Sequence, residues 1–285
     1  MRVGVISRGS PDYLIDIVCD GLIKILGRQN VALDYVHKAR WGGQYSILMA
    51  GVEQENSFDI HDAELLVASD RSIPAMEEWA KRTGRKKIAL VDGEDDPPLR
   101  YDPERVTAYF KREYMVGRQY AKKVKPLPFA AIPEDLPKDV PIERNVFYMG
   151  HPSNPIRVDI ANALKNMGYA LPTERIEKAP YNRLLMSSRV GISPRGCGWD
   201  TYRYWEIPFF GTALLAQRPE IVIPDNFIEG EEALFFGGVQ EMISKLTYLI
   251  RDPEGTLAMA RRGREACLKR HLCTNRARTV LEALA

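Results

Sequence analysis

Residues 192–211 read Ile-Ser-Pro-Arg-Gly-Cys-Gly-Trp-Asp-Thr-Tyr-Arg-Tyr-Trp-Glu-Ile-Pro-Phe-Phe-Gly, and this segment is the most informative part of the chain. A short apolar run at 190–192 leads into a loop at 194–198 that contains two glycines. Asp200 and Thr201 follow, at the place where the N-cap of a helix would stand. A strand, a glycine loop and a helix start in this order predict an anion site, because backbone N–H groups and the helix dipole favour negative charge there.

The charged residues of the stretch suit a phosphorylated ligand. Arg195 and Arg203 offer forked donors that match phosphate geometry. Glu206 falls about one helical turn after Arg203, so both lie on one helix face. A cation for phosphate beside a carboxylate for sugar hydroxyls indicates a nucleotide or nucleotide-sugar site. The alternative is a plain strand-to-helix turn, in which Gly196 and Gly198 serve only the backbone and Arg203 pairs with Glu206 at the surface.

The wording of this segment resembles the nucleotide-sugar half of the GT-B glycosyltransferases. It is similar to the CgeB-like (spore maturation protein) and exostosin-like groups and to the C-terminal domain of group 1 glycosyltransferases. Their segment runs roughly Pro-x-Gly-x-Gly-x-Asp-x-x-Arg-x-x-Glu and then Gly. The resemblance covers residues 145–285 well and residues 1–140 in outline. It implies two Rossmann-like domains with a cleft between them and a C-terminal helix that packs back on the first domain.

Strands and helices alternate along the chain, which independently predicts an α/β fold with parallel sheets. Apolar residues at helical spacing predict a helix over 13–26. Apolar runs predict strands near residues 2–6, 31–36, 64–68, 87–91, 145–149 and 213–216. Prolines crowd the stretch 126–141 and predict an extended linker. We therefore expect an N-terminal acceptor-side domain over 1–143 and a C-terminal nucleotide-sugar-binding domain over 144–285.

The resemblance implies roles for the donor-site residues. A glutamate at the place of Glu206 binds the ribose hydroxyls in these families, and Arg195 and Arg203 would bind the diphosphate. Tyr181 lies where it could stack on the nucleotide base, and Arg157 could join the phosphate group or lie in solvent. The full set expected at the donor is Arg157, Tyr181, Arg195, Gly196, Gly198, Asp200, Thr201, Arg203 and Glu206.

One departure from the family pattern concerns the mechanism. Many retaining GT-B enzymes carry a glutamate eight residues before the ribose glutamate, and Gly198 stands at that position here. Asp200 is displaced from it by two residues. The departure leaves the sugar-contacting carboxylate unidentified and the stereochemical outcome open.

A catalytic base is expected from the first domain. Asp92 and Asp95 follow a predicted strand, and three adjacent acids at 94–96 should repel one another and raise a pKa toward the range of a general base. The alternative is an acidic surface loop. His37 ends another predicted strand and is a further candidate, whereas Asp12 and Asp70 read as helix caps.

Composition limits the classes of protein to which the chain can belong. The chain has 285 residues, 45% hydrophobic and 27% charged, as a soluble globular protein does. It has no Asp-x-Asp motif, so we expect no metal and no cofactor, with arginines and a helix dipole in place of a divalent ion. Four cysteines without metal spacing favour reduced thiols in a cytoplasm. We expect no transmembrane segment, because no apolar run reaches about 18 residues.

Charge bears on the acceptor. The net charge of +2 is too balanced to indicate nucleic acid by itself. Two basic stretches read either as solvated helix faces or as a surface for an anionic acceptor. They consist of Lys111, Arg112, Arg118, Lys122, Lys123 and Lys125, and of Arg261, Arg262, Arg264, Lys269 and Arg270.

The sequence thus predicts a metal-independent hexosyl- or pentosyltransferase that uses a nucleoside-diphosphate sugar, UDP-linked by preference. The acceptor hydroxyl is left open among glycan, small molecule and DNA, and the oligomeric state is not indicated. One alternative is a nucleotide or nucleotide-sugar binding module without catalysis. Another is a sugar transferase that acts on hydroxylated DNA bases.

Overall fold

The computed structural model describes residues 1–8, 12–35, 55–134, 140–170, 172 and 176–285. These residues divide into two compact units. Unit 1 comprises Met1–Ile132, Ile221–Pro224 and Leu272–Ala285, and unit 2 comprises Pro133–Glu220 and Asp225–His271. This division differs from the predicted domains, because unit 2 begins at Pro133 rather than at residue 144, and Ile221–Pro224 and Leu272–Ala285 belong to unit 1.

The described residues form ten strands and eight α-helices. The strands are β1 (Val3–Ser7), β2 (Val31–Tyr35), β3 (Leu65–Ser69), β4 (Ile88–Asp92), β5 (Ala108–Lys111), β6 (Val124–Pro126), β7 (Arg144–Phe147), β8 (Ser188–Ser193), β9 (Ala213–Gln217) and β10 (Ala233–Phe236). The helices are α1 (Tyr13–Leu26), α2 (Ile73–Thr83), α3 (Pro155–Asn166), α4 (Lys178–Met186), α5 (Tyr202–Phe209), α6 (Val239–Arg251), α7 (Pro253–Arg270) and α8 (Cys273–Leu284).

Unit 1 is built on a parallel sheet of six strands in the order β2-β1-β3-β4-β5-β6. Every residue of β1, β3 and β4 is buried, as expected for parallel strands covered on both faces. The predicted helix over 13–26 is confirmed as α1, and it begins at the Asp12 cap and ends at Gly27. The carboxyl ends of β1, β3 and β4 lie at one edge of this sheet.

Unit 2 carries a second parallel sheet, in the order β10-β9-β8-β7. Its core joins apolar residues of the strands with the inner faces of the helices, and includes Val190, Ile160 and Met242. The predicted parallel α/β architecture is therefore confirmed in both units. Because β8 is a central strand, its carboxyl end lies in the middle of one edge of the sheet.

The C-terminal helix packs on the first helix of unit 1, as the resemblance implied. Gly21 of α1 lies so close to α8 that a Cβ atom there would stand 2.3 Å from the carbonyl oxygen of Cys273. Arg276 of α8 donates from Nε and Nη2 to the carbonyl of Phe129 at 3.1 and 2.9 Å. Two kinds of contact, helix against helix and side chain to backbone, thus fix α8 within unit 1.

Two predictions about the middle of the chain are wrong. Pro126 ends a strand rather than opening a linker, and Leu127 and Phe129 after it are buried at 1% and 3% exposure. The first basic stretch is no solvated helix face, because Lys111 belongs to β5 and is 0% exposed, and Arg112 is 5% exposed. The pattern was misleading because a buried lysine looks like any surface lysine until its partner is known.

The length and apolar character of the helices show whether any of them could span a membrane. Among the helices of the described ranges, none combines enough length and apolar character to cross a bilayer.

Candidate functional site

The start of α5 forms the centre of the candidate site in unit 2. β8 ends at Ser193, and Thr201 takes the N-cap position with an extended backbone, φ −126° and ψ 149°. Its hydroxyl lies 3.0 Å from the hydroxyl of Ser193 and makes no cap hydrogen bond to α5. The first turn of α5 therefore keeps the amide orientation of an anion site without a side-chain cap.

Arg157 joins the two loops that precede α3 and α5. Its guanidinium, on a residue 8% exposed, donates from Nε to the carbonyl of Arg195 at 2.7 Å and from Nη1 to that of His151 at 3.1 Å. A Cβ atom on Gly196 would stand 2.9 Å from Nη2, so a larger residue there would push the guanidinium from this position. The structure thus places Arg157 and Gly196 together as a brace for the loop.

Arg195, in the loop before α5, is more exposed than Arg157 of α3. Its guanidinium carbon lies 4.3 Å from the centre of the Trp199 ring, and Nη2 donates to the carbonyl of Cys197 at 3.3 Å. Its backbone N–H donates to Gln217 Oε1 at 3.1 Å. Gly198 supplies the carbonyl that accepts from the Gly196 N–H at 2.8 Å. The loop backbone is therefore fixed, while the Arg195 side chain is held, among the described residues, by its ring contact and the hydrogen bond to Cys197.

Asp200 does not have the ligand-binding position that the sequence suggested. It is 5% exposed, and its Oδ1 accepts the indole N–H of Trp205 at 2.8 Å. The carboxylate is engaged in an internal hydrogen bond, because a buried indole N–H needs an acceptor. Asp200 therefore orients Trp205 of α5 and does not replace the glutamate missing at Gly198.

Glu206 is half-buried on α5, and Tyr181 of α4 donates from its hydroxyl to Oε2 at 2.8 Å. Desolvation raises the pKa of Glu206, while Lys178, Arg203 and the Tyr181 hydrogen bond lower it. Arg203 lies three residues before Glu206 on the same helix, and its charge is one of those that act on Glu206. A carboxylate that is partly exposed but poorly hydrated is a strong acceptor for ligand hydroxyls.

Tyr181 is wrongly predicted to stack on a base. Its ring is 2% exposed and packs edge-on against Phe147, with centroids 5.4 Å apart at an interplanar angle of 87°. Because the ring is buried, neither of its faces is accessible to a ligand. The hydroxyl is therefore the part of Tyr181 that acts near the site, through its hydrogen bond to Glu206.

Lys178 and Glu134 were missed by the sequence reasoning. They form an ion pair at 3.1 Å, and Asn182 Nδ2 donates to Glu134 at 3.2 Å. Lys178, Tyr181 and Asn182 share one face of α4 at helical spacing, which was a readable signal. Glu134 carried none, because it lies within the proline stretch 126–141 and its partner Lys178 lies far along the chain.

Asp92 is not placed to act as a base. Its side chain is 0% exposed, it pairs with Lys111 Nζ at 2.7 Å, and it accepts a hydrogen bond from the Tyr109 hydroxyl. Burial raises the pKa of Tyr109, and the charge of Asp92 and the hydrogen bond to it raise that pKa further. The network is internal to unit 1, and the predicted catalytic role of Asp92 has no support in this geometry.

The three acids after β4 do not form a mutually repelling group. Glu94 pairs with Arg71 at 3.0 Å, Asp95 with Arg112, and Asp96 with Arg100 at 2.8 Å. Each acid thus pairs with an arginine, and Arg100 also lies 3.9 Å from Glu94. The side chain of Asp95 is 53% exposed, so it stays a candidate base. His37 lies outside the described residues.

Of the two predicted helix caps, one is confirmed. Asp12 accepts from the N–H groups of Leu14 and Ile15 at 3.0 and 3.4 Å and caps α1. Asp70 instead accepts from the Gly93 N–H at 3.3 Å. Burial and the charges of Asp12 and Asp92 raise the pKa of Asp70 to about 7.

Metal ligands need several donors in one place. In the parts of the chain that the structure describes, no three His, Cys, Asp or Glu side chains are grouped as a metal site would need.

Two parallel α/β units, with a glycine loop and an uncapped helix start at the end of β8, define the GT-B class of fold. Residues 162–282 match the family model described as glycosyl transferase-like. No curated protein matches the chain.

Solved structures agree with the fold class over the whole chain. HepE of Anabaena, crystallised with UDP-glucose, has a TM-score of 0.64 at 12% identity and covers 100% of this chain and 99% of its own. An α-glucosyltransferase in complex with UDP-glucose and DNA containing an abasic site has a TM-score of 0.62 at 10% identity, with 100% and 99% covered. Sucrose-phosphate synthase from Thermosynechococcus elongatus has a TM-score of 0.59 at 10% identity, with 99% and 98% covered.

The chain therefore has the GT-B fold, and its residues 162–282 are similar to the glycosyl transferase-like family. The finer likeness to the CgeB-like and exostosin-like groups stays a prediction.

Proposed function

We propose that this protein is a glycosyltransferase that moves a hexosyl or pentosyl group from a nucleoside-diphosphate sugar, UDP-linked by preference, to a hydroxyl acceptor without a metal ion. The observation that carries the proposal is Glu206, a partly exposed carboxylate one turn into a helix whose start has no side-chain cap. UDP-glucose in HepE and in the α-glucosyltransferase supports the choice of donor.

The proposed chemistry follows from the charges near the start of α5. Glu206 would accept hydrogen bonds from the ribose hydroxyls, and Arg195 and Arg203 would lie near the diphosphate. Negative charge grows on the diphosphate as the glycosidic bond breaks, so fixed cations and helix amides stabilise the transition state more than the bound donor. Arg157 would act indirectly, by holding the glycine loop. Asp95 and His37 stay our proposed proton acceptors.

A thermal-shift panel of UDP, GDP, ADP, CDP and TDP, with and without magnesium, tests the donor site. A ligand present at about 100 times its Kd stabilises the folded state by about 2.7 kcal/mol. We expect UDP to raise the Tm without magnesium in the native protein and in Glu265→Gln, which changes an exposed glutamate of α7. Glu206→Gln should lose the shift. A flat panel, or an equal shift in Glu206→Gln, contradicts the proposal.

A binding module without catalysis is a second candidate, favoured by Gly198 at the family glutamate position and by the internal role of Asp200. Release of UDP from UDP-sugars, followed by chromatography, separates the two. Turnover above that of Glu206→Gln supports the transferase, and UDP-sugar binding without turnover across a broad acceptor panel supports the module.

DNA as the acceptor has less support in the structure. Lys111 and Arg112 of the first basic stretch are buried, and Lys123 pairs with Glu104 at 3.1 Å. DNA binding that falls steeply with salt would restore this candidate.

A further inference from the structure

We propose that Tyr181 is a positioning residue that holds the Glu206 carboxylate ready for the ribose diol of the donor. This inference rests on the proposed function, since it assigns a role within the same donor site. It replaces the predicted stacking of Tyr181 on the base.

Tyr181 has the rigidity that a positioning residue needs. Its ring is 2% exposed and is held edge-on by Phe147 of β7, so the hydroxyl has little freedom to move. That hydroxyl donates to Glu206 Oε2 at 2.8 Å. Glutamate has three rotatable side-chain bonds, and one short hydrogen bond from a fixed donor removes much of that freedom before a ligand arrives.

The contact leaves the other carboxylate oxygen for the ligand. Among the described residues, Tyr181 is the one hydrogen-bond partner of the Glu206 carboxylate, and it occupies Oε2. Oε1 keeps its acceptor capacity on a side chain that is only half-buried. A vicinal diol offers two donors, and a carboxylate held in one orientation can accept both without first being reoriented.

A neutral partner preserves the charge of the carboxylate. Tyrosine contributes one donor and no charge, whereas a lysine in direct contact would neutralise the acceptor. The charged groups that act on Glu206 from the packed elements are Lys178 of α4, Arg203 of α5 and Glu134. The two cations favour the ionised form and Glu134 opposes it. Loss of the Tyr181 hydroxyl should therefore raise the pKa of Glu206 further and weaken diol binding.

Calorimetry on Tyr181→Phe tests the inference with two ligands, UDP and its 2′,3′-dideoxy analogue. The native protein should prefer UDP. Tyr181→Phe should bind UDP about tenfold more weakly, as for loss of a hydrogen bond to a charged group. The dideoxy analogue should bind both proteins equally. The pH below which UDP affinity falls should also move upward in the variant, because the pKa of Glu206 is higher there.

Two further variants complete the design. Tyr248→Phe changes a tyrosine of α6 that is 61% exposed and should leave both affinities unchanged. Adding Tyr181→Phe to Glu206→Gln should weaken UDP binding less than adding it to the native protein, because the group it positions is gone.

The outcomes separate this inference from the proposed function. If the native protein binds no nucleotide, the proposed function and the positioning role of Tyr181 are both contradicted. If it prefers UDP over the dideoxy analogue and loses that preference in Glu206→Gln, the donor site stands. If Tyr181→Phe then binds UDP as tightly as the native protein, or loses both ligands to the same extent, the positioning role alone is overturned.

Discussion

Asp92 and Lys111 form a pair from which water is excluded, since both side chains are 0% exposed. Removing one member of a buried ion pair leaves the other charge without compensation, which typically costs about 3–5 kcal/mol. We expect Asp92→Asn to lower the free energy of unfolding by about that amount in urea titrations. Asp95→Asn removes an acid that is 53% exposed and leaves Arg112 with Glu113 at 3.7 Å, so it should change the free energy of unfolding by about 1 kcal/mol or less.

Comparing Asp92→Asn with Asp95→Asn also separates a structural role of Asp92 from a catalytic one. A stable Asp92→Asn protein without transferase activity would return Asp92 to the active site. Asp95→Asn serves as the matched control for stability, and its activity tests Asp95 as a base.

Asp70 should make stability depend on pH. Its pKa is raised to about 7 by burial and by the charges of Asp12 and Asp92, against about 3.9 for an exposed aspartate. Because the folded state holds this proton more tightly, the stability that it contributes is complete below about pH 4 and is lost as the pH rises through 7.

Asp70→Asn mimics the protonated form at every pH. Its advantage in free energy of unfolding over the native protein should therefore grow between pH 4 and 7 and then level off. Since one pKa unit corresponds to about 1.4 kcal/mol, we expect a gain of roughly 1–4 kcal/mol at pH 8. Urea unfolding at several pH values measures it, with the exposed Asp62→Asn in parallel. A difference that stays constant with pH would exclude Asp70 as the titrating group.

Single residues show where sequence reasoning reaches its limit. The spacing of Arg203 and Glu206, and the Asp12 cap, could be read because each depends on neighbours within one turn. The pairing of Asp92 with Lys111 and of Tyr181 with Glu206 could not, because each joins separate elements. Asp200 was misjudged for the same reason, since nothing local shows that an acid is buried.

At the scale of elements, the contact between α1 and α8 depends on one missing side chain. In Gly21→Ala the new Cβ would lie 2.3 Å from the carbonyl oxygen of Cys273, so the backbones must separate. Overpacking of this kind costs roughly 1–3 kcal/mol, which should exceed the gain of about 1 kcal/mol from alanine in a helix. We expect a lower Tm in calorimetry.

Gly238→Ala is the control, because a Cβ there meets nothing within 4 Å. A Tm of Gly21→Ala at or above that of the native protein would show that α8 can shift without loss.

Elements with a clear period were predicted well, and those set by distant packing were not. The helix over 13–26 and the strand at 213–216 follow from apolar spacing alone. β5 and β6 went unrecognised because Lys111 and Pro126 lie at their ends, and such residues usually mark surface or linker. Their burial depends on a sheet that only the folded chain assembles.

At the scale of the whole molecule, the order of elements predicted the fold class, but the membership of the units needed the structure. Alternating strands and helices lead to parallel sheets wherever crossovers are short. The segment Ile221–Pro224 belongs to unit 1, where Ile221 forms an antiparallel bridge with Met115 and the Val222 N–H donates to the carbonyl of Tyr114 at 2.7 Å. Backbone contacts of this kind leave no trace in composition.

The assignment of α8 to unit 1 leads to the last prediction. A chain that ends at His271 keeps every residue of unit 2 but lacks the helix that covers α1. It also loses Arg276, which donates to the carbonyls of Pro128 and Phe129 at 2.9 to 3.1 Å. Buried carbonyls without donors and an uncovered apolar helix both destabilise unit 1.

Limited proteolysis with mass spectrometry can follow the two units separately. We expect the chain truncated at His271 to be cut rapidly within residues 1–132, while fragments from residues 133–271 persist, because every residue that the truncation removes belongs to unit 1. Thr279→Ala, an exposed change on α8, should be cut at the native rate. If residues 133–271 are cut as fast as 1–132, the C-terminal helix supports both units, and its assignment to the first is wrong.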